Sequence, residues 1–320
     1  MKIAMIGSGA AGSVFAGYLR RGGADLTLVD PYQAHMDKIA KDGLTFVVNG
    51  DKTYQLTGFR TAYDAADIGI MDIVIFMTKS HQLPAALKTA APAIGENTVL
   101  VSLMNGLGNE EKLVGAVPAG RVLYGNGVLG TELLEPGKCI SSPSTEGYQM
   151  NFGAMERTEL SVAAGQELER MFTEGGCPAK FWDDVSEHYW QKIVTNCVFN
   201  PLSAVLRMQC KDIFKDVNGA GLATAVAAEC CAVATACGCP MNSGEFFRLL
   251  AKSVSSGSIE EYYPSMAQDV MINQRQTEID TLNGAIVRYG KKFGIPTPVN
   301  EYLTKTIKCM QKNYDKQYKG

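Results

Sequence analysis

Lys2-Ile3-Ala4-Met5-Ile6-Gly7-Ser8-Gly9-Ala10-Ala11-Gly12 begins one residue into the chain, and its reading decides the fold. Lys2 to Ile6 is a short apolar run suited to a buried parallel strand, and Ser13 to Arg21 reads as a helix. The three glycines therefore fall in a strand-to-helix turn, where each has its own reason to lack a side chain. Gly7 permits the tight turn, Gly9 lets the backbone approach a pyrophosphate, and Gly12 lets helix and strand pack closely. Ser8, Ala10 and Ala11 complete the turn, whose helix N-terminus offers N–H groups and a positive dipole end to phosphates.

The glycine pattern alone is a weak signal, and its context strengthens it. Asp25-Leu26-Thr27-Leu28-Val29 reads as a second strand that ends on Asp30. An acidic side chain about twenty residues beyond the glycines suits a bidentate grip on an adenine ribose diol. That carboxylate would repel a 2′-phosphate, and Pro31 and Tyr32 follow it where Arg or Lys would be needed. Charge therefore favours NAD(H) over NADP(H). The alternative is that Asp30 merely caps a helix over Ala34 to Lys41.

Outward from this turn, short apolar runs alternate with helical segments. Ile73 to Met77 and Val99 to Leu103 read as further buried strands with a helix over Gln82 to Ala91 between them. This β-α-β alternation predicts an α/β, Rossmann-type doubly wound parallel sheet with right-handed crossovers. Val122 to Ala154 reads as irregular strands and turns, Gln166 to Thr173 as a helix, and Phe181-Trp182 as the close of the sheet domain. Strand-like runs then disappear. The expected division is a dinucleotide-binding domain over 1–183 and an all-helical substrate domain over 184–320, with the active site in the cleft between them.

Composition sets the class. At 320 residues with 46% apolar content, the chain can bury two cores. Thirty basic against thirty-three acidic residues give a net charge of −3, which draws neither nucleic acid nor an anionic membrane. Met1 to Leu19 resembles a signal peptide only superficially, because a secretory apolar region has no need of a glycine turn between strand and helix. Gly219 to Cys239 is rich in Ala, Cys and Thr and carries Glu229, which reads as a closely packed core or interface helix; a homodimer is one use for it. Nine cysteines, an odd number without C-x-x-C spacing or a nearby His, suggest small hydrophobes in a reducing cytoplasm and no metal site.

The helical half carries its own polar pattern. In Trp190-Gln191-Lys192-Ile193-Val194-Thr195-Asn196-Cys197-Val198-Phe199-Asn200-Pro201-Leu202, Lys192, Asn196 and Asn200 repeat every four residues and share one helix face. A cation and two carboxamides on an otherwise apolar helix read as a stripe facing a substrate; the plainer reading is a polar surface stripe. Further on, Ser265 and Glu278 lie thirteen residues apart, on different faces of any unbroken helix. They converge only if the helix breaks, and Asn273-Gln274 is the expected place.

Taken together, G-S-G-A-A-G, T-K-S-H-Q near residue 80, N-G-L-G at 105–108, W-x-K-x-x-x-N-x-x-x-N-P-L, and S-M-x-Q-D followed by T-E-I-D-x-x-N-G resemble the ketopantoate reductases (2-dehydropantoate 2-reductases). The likeness spans nearly the whole chain, including Gly294-Ile295-Pro296-Thr297-Pro298-Val299-Asn300. It implies a helical C-terminal domain like that of 6-phosphogluconate dehydrogenase and reduction of 2-dehydropantoate, or a similar branched 2-oxo acid, to the D-2-hydroxy acid. Lys192 matches the family's general acid, and Glu278 the carboxylate that bonds a substrate hydroxyl and organises that lysine. Asn196 and Asn200 match substrate-binding carboxamides, and Ser265 a donor to the substrate carboxylate. Asn105 and Lys79 match residues lining cofactor and reacting centre, with Glu278 also beside the cofactor. A proton donor is what the chemistry needs, since hydride addition to a carbonyl creates an alkoxide.

His188, one turn before Lys192, is the rival acid, without an orienting carboxylate nearby. Members that use NADPH usually carry a basic residue where this chain has Asp30-Pro31. That strand end, with Tyr263-Pro264-Ser265-Met266 and the N-G-L-G stretch, resembles the NADH-linked branch of D-2-hydroxyacid dehydrogenases of the D-mandelate type. Substrate choice between the two branches is expected to rest on Val128 to Gly153 and Glu245 to Tyr263. A third reading, a sensor that binds NAD(H) without turnover, predicts loss of the proton donor, yet Lys192 and its companions are present.

Overall fold

The computed structural model describes residues 1–143, 147–255 and 263–318. Two compact units make up the chain, Met1–Met104 with Asn109–Tyr189, and Asn105–Gly108 with Trp190–Gly320.

In the first unit the order is β1 (Lys2–Ile6), α1 (Ala10–Arg21), β2 (Asp25–Val29), α2 (Gln33–Asp42), β3 (Leu44–Val48), β4 (Lys52–Leu56), β5 (Arg60–Ala62) and β6 (Met71–Phe76). It continues through α3 (Leu83–Ala90), β7 (Ile94–Ser102), α4 (Asn109–Val114), β8 (Val122–Gly127), β9 (Leu129–Glu135), β10 (Lys138–Pro143), β11 (Met150–Ala154), α5 (Glu159–Glu174) and β12 (Ala179–Trp182). Eight strands form one sheet in the order β12-β11-β8-β7-β6-β1-β2-β5. Every neighbouring pair is parallel except β8 with β11. Alternate residues of the central strands enter opposite cores: Ile3, Met5, Ile73 and Ile75 on one face, Ala4, Ile6, Val74 and Phe76 on the other. That two-sided burial explains why these strands read as unbroken apolar runs. Each such large side chain contributes about 1.5–3 kcal/mol by leaving water.

A second sheet, in the order β4-β3-β10-β9, corrects the irregular reading of 122–154. Its centre is the parallel pairing of β10 with β3, which places Cys139 opposite Phe46. Phe46 is fully buried and meets the Tyr18 ring of α1 edge-on, with centroids 4.8 Å apart.

In the second unit, α6 (Ser186–Leu206), whose first turn belongs to the first unit, is followed by α7 (Cys210–Lys215), α8 (Val217–Ala236), α9 (Ser243–Ser255), α10 (Ser265–Met271), α11 (Asn283–Phe293) and α12 (Pro298–Gln311). The described part of this unit beyond residue 190 has no strand. The change of unit falls inside α6, between Tyr189 and Trp190. The physical reason is Tyr189, whose hydroxyl donates to Glu110 Oε2 at 2.8 Å and whose ring meets Tyr124 at 5.1 Å. By length and composition α8 could cross a membrane. Here it packs against α7, α9, α11 and α12, and its Glu229 carboxylate accepts from the Val299 and Asn300 N–H groups at the start of α12.

Candidate functional site

The first unit builds the glycine turn as the sequence predicts. Gly7 has φ +93°, and a Cβ there would lie 2.8 Å from the backbone between Met77 and Thr78. A Cβ on Gly12 would lie 2.0 Å from the Gly7 carbonyl oxygen. Packing alone thus compels the first and third glycines. Gly9 differs: among the described residues a Cβ there would meet nothing within 4 Å, although Gly9 is the N-cap of α1 and no side chain caps it. Nothing among the described residues asks for glycine at this position, whereas a bound pyrophosphate would. The buried Ser8 Oγ has no hydrogen-bond partner among the described atoms, a second sign that these residues fit a phosphate-bearing group.

Asp30 closes the turn from the end of β2. Its Oδ2 accepts from the Ser8 N–H at 2.8 Å and its Oδ1 from the Tyr32 N–H at 2.9 Å. The N-cap of α2 is Tyr32, with no side-chain cap, so the helix-capping alternative for Asp30 fails. Each carboxylate oxygen keeps a second lone pair for an outside donor. Lys79 follows β6, half-buried at the carboxyl end of the sheet.

Sequence reasoning missed the support beneath this turn. The fully buried His35 accepts the Gly137 N–H on Nδ1 at 2.9 Å, which leaves the proton on Nε2 to donate to Ser13 Oγ, 2.9 Å away. Ser13 Oγ in turn donates to the Ser8 carbonyl at 2.7 Å. Burial pushes the His35 pKa below its ordinary value, against a smaller opposing pull from Asp30. A folded pKa below the unfolded one means that stability is lost as pH falls, because the unfolded chain then binds the proton more readily. Thermal melts between about pH 7 and about pH 5 should show that loss, and His35→Gln should reduce it. An unchanged slope in the variant would remove His35 as its source.

The second unit gathers the other candidates. Lys192 is half-buried, Asn196 and Asn200 are 8% and 7% exposed, and the intervening Ile193, Val194, Cys197 and Val198 are core. No hydrogen bond or ion pair holds the Lys192 ammonium among the described residues, and burial lowers its pKa. Asn196 Nδ2 donates to Asn105 Oδ1 at 3.3 Å. Beside Asn105, Gly106 at φ +97° sits against Thr281, where a Cβ would lie 2.5 Å from the hydroxyl. The Leu107 N–H donates to the Thr281 carbonyl at 2.7 Å, and the Thr281 and Leu282 N–H groups donate to the Glu278 carbonyl. Asn196, Asn105 and the Glu278 turn are therefore brought together within this unit.

The helix does break where expected. α10 ends at Met271, Gln274 has φ +47°, and residues 272–282 form no helix before α11. Arg275 Nε donates to the buried Asp269 Oδ1 at 2.6 Å, and Gln311 Oε1 accepts from both the N–H and hydroxyl of Thr277, which fix this segment. Ser265 is exposed in the first turn of α10 and has no hydrogen bond to the other candidates among the described residues. Of the stretch 245–263, residues 256–262 lie outside those described. His188, the rival acid, belongs to the first unit and stacks on Trp182 with centroids 4.2 Å apart.

Residues 3–157 match the family model described as "Ketopantoate reductase PanE/ApbA", and residues 184–311 match "Ketopantoate reductase PanE/ApbA C terminal". The 2-dehydropantoate 2-reductase of Aquifex aeolicus is 30% identical over 316 residues, 97% of each chain. Among solved structures, a ternary complex of D-mandelate dehydrogenase with NADH and anilino(oxo)acetate superposes at TM-score 0.88 with 27% identity, covering 99% of this chain and 100% of that one. The 2-dehydropantoate 2-reductase of Geobacter metallireducens gives 0.84 with 28% identity, over 97% and 99%.

Proposed function

The chain belongs to the ketopantoate reductase family, and from that premise we propose that it reduces 2-dehydropantoate, or a similarly branched 2-oxo acid, to the D-2-hydroxy acid. The observation that carries the reading is the Lys192, Asn196 and Asn200 face of α6, with an ammonium that no carboxylate among the described residues holds and whose pKa burial lowers. A bound nicotinamide dinucleotide supplies the hydride. The glycine turn and the N-terminus of α1 would hold its pyrophosphate and Asp30 would accept from the adenine ribose hydroxyls, while the family resemblance gives Lys79, Asn105 and Glu278 as the residues that would line it. Lys192 donates its proton to the carbonyl oxygen, and its lowered pKa makes it a readier acid at neutral pH than an exposed lysine. Glu278 would accept from the substrate hydroxyl and, with substrate bound, orient Lys192. Asn196, Asn200 and Ser265 hold the substrate's polar groups. His188 is the poorer donor because its ring already lies on Trp182.

Asp30 favours NADH over NADPH. Asp30→Asn keeps the size of the side chain and one carbonyl acceptor, and removes the charge. Fluorescence titration should show the NADH-to-NADPH affinity ratio falling roughly tenfold, about 1.4 kcal/mol. Equal changes for both dinucleotides would leave Asp30 with only its bonds to Ser8 and Tyr32. The substrate half is tested by following oxidation of each reduced dinucleotide with 2-dehydropantoate; no turnover with either would defeat the assignment.

A further inference from the structure

Pro201 interrupts the hydrogen-bond ladder of α6 one residue past Asn200, the last residue of its polar face. Lacking an N–H, it leaves the Cys197 carbonyl, four residues earlier, without its helical donor. That orphan lies between the two carboxamides assigned to the substrate, since Asn196 precedes Cys197 and Asn200 precedes Pro201. The fully buried Asn283, first residue of α11, supplies the missing donor: its Nδ2 lies 2.9 Å from the Cys197 oxygen. The second Nδ2 hydrogen goes to Asn300 Oδ1, also at 2.9 Å. Asn300 Nδ2 donates to Glu229 Oε2 at 2.7 Å, and Glu229 holds the first N–H groups of α12. A chain of bonds therefore runs from the gap in α6 to a carboxylate anchored at a helix terminus.

Two features set this apart from ordinary packing. Rotating the amide by half a turn would point its oxygen at two acceptors, so the orientation is fixed. In that orientation Asn283 Oδ1 is buried without a partner, a cost an apolar residue of similar size would avoid. The position keeps the amide for its donors. We infer that Asn283 is a positioning residue that replaces the backbone bond lost at Pro201 and so fixes the spacing of Lys192 and Asn196 relative to Asn200. This rests on the reading of α6 as the substrate-facing helix.

The test exploits the proline. In Asn283→Ala the Cys197 carbonyl has no donor, and the broken turn can relax. The oxo-acid kcat/KM should fall by roughly tenfold or more, chiefly through KM, with NADH affinity unchanged. Pro201→Ala restores a backbone N–H that can reach the same carbonyl. Adding Asn283→Ala to Pro201→Ala should therefore cost less than about threefold in kcat/KM, as expected when one mutation removes the need for the other. If Asn283→Ala alone gives no folded protein, the comparison of double variant with Pro201→Ala decides the matter. A loss above tenfold in that comparison overturns the inference. So does a folded Asn283→Ala enzyme with a lowered Tm but ordinary kcat and KM, which is the signature of a purely structural residue. Lys192→Ala run alongside separates the two claims. Near-normal turnover there sinks the proposed site itself, whereas abolished turnover with ordinary kinetics in Asn283→Ala sinks only the positioning role.

Discussion

Lys192→Ala should lower kcat for oxo-acid reduction roughly 10³-fold, about 4 kcal/mol of transition-state stabilisation, with NADH affinity nearly unchanged. The size follows from two losses at once: the proton donor, and the charge that stabilises the developing alkoxide. The affinity should hold because the glycine turn and Asp30 belong to the other unit. The sign of the pH dependence follows as well. Reduction needs the ammonium, so its kcat/KM falls as pH rises through the Lys192 pKa, which burial places below the ordinary lysine value of 10.5. The reverse reaction needs the neutral amine and gains over the same range. Lys192→Ala should remove the high-pH limb of the reduction profile. Turnover near that of the parent enzyme would end the assignment, and a retained high-pH limb would move the acid to another group.

The glycine turn offers the second large effect, and its two variants should part company. Gly12→Ala places a Cβ 2.0 Å from the Gly7 oxygen, so α1 must move away from the end of β1. Overpacking of this kind costs about 1–3 kcal/mol of stability. The helix N-terminus moves with it, and NADH binding should fall with the melting temperature. Gly9→Ala places its Cβ in open space at φ −68°, a value alanine adopts without strain. Stability should change by less than about 1 kcal/mol, alanine's weaker N-capping being offset by a stiffer unfolded chain. Dinucleotide affinity should nevertheless fall at least roughly 100-fold, about 2.7 kcal/mol, because the methyl group occupies the approach to the pyrophosphate. Paired thermal melts and fluorescence titrations read both quantities. Ordinary NADH affinity in Gly9→Ala would mean that the open space above Gly9 is not where the phosphates lie.

How much of this was legible in the sequence depends on how local each determinant is. β1, the turn, α1, β2 and Asp30 are one contiguous segment whose signals are apolar runs and glycines, and they stand where expected. The second sheet escaped because its central pairing joins Thr45–Val48 to Lys138–Ser141, and neither partner carries a mark of the other. The irregular look of 122–154 has the same origin, with β9 and β10 half-exposed ribbons while β8 and β11 run antiparallel inside a parallel sheet. At the site, the fourfold repeat of Lys192, Asn196 and Asn200 was visible because a helix face is periodic. The Asn105 partner of Asn196 lies 91 residues away, and its placement rests on Gly106 and Leu107 docking on Thr281. Asn283 and Asn300 were quoted only as parts of motifs; their bonds to Cys197 and Glu229 appear only once α6, α8, α11 and α12 are packed. The break before Glu278 was readable at Asn273-Gln274, but what fixes it, Asp269 with Arg275 and Gln311 with Thr277, was not.

Reduction of a branched 2-oxo acid is the central claim, and the D-mandelate dehydrogenase likeness supplies the fair competitor. Steady-state kcat/KM should be measured with NADH for 2-dehydropantoate and for phenylglyoxylate on the same preparation. A clear preference for 2-dehydropantoate, yielding the D-2-hydroxy acid, is the expected result. A preference for phenylglyoxylate would contradict it and make this scaffold an aromatic D-2-hydroxyacid dehydrogenase.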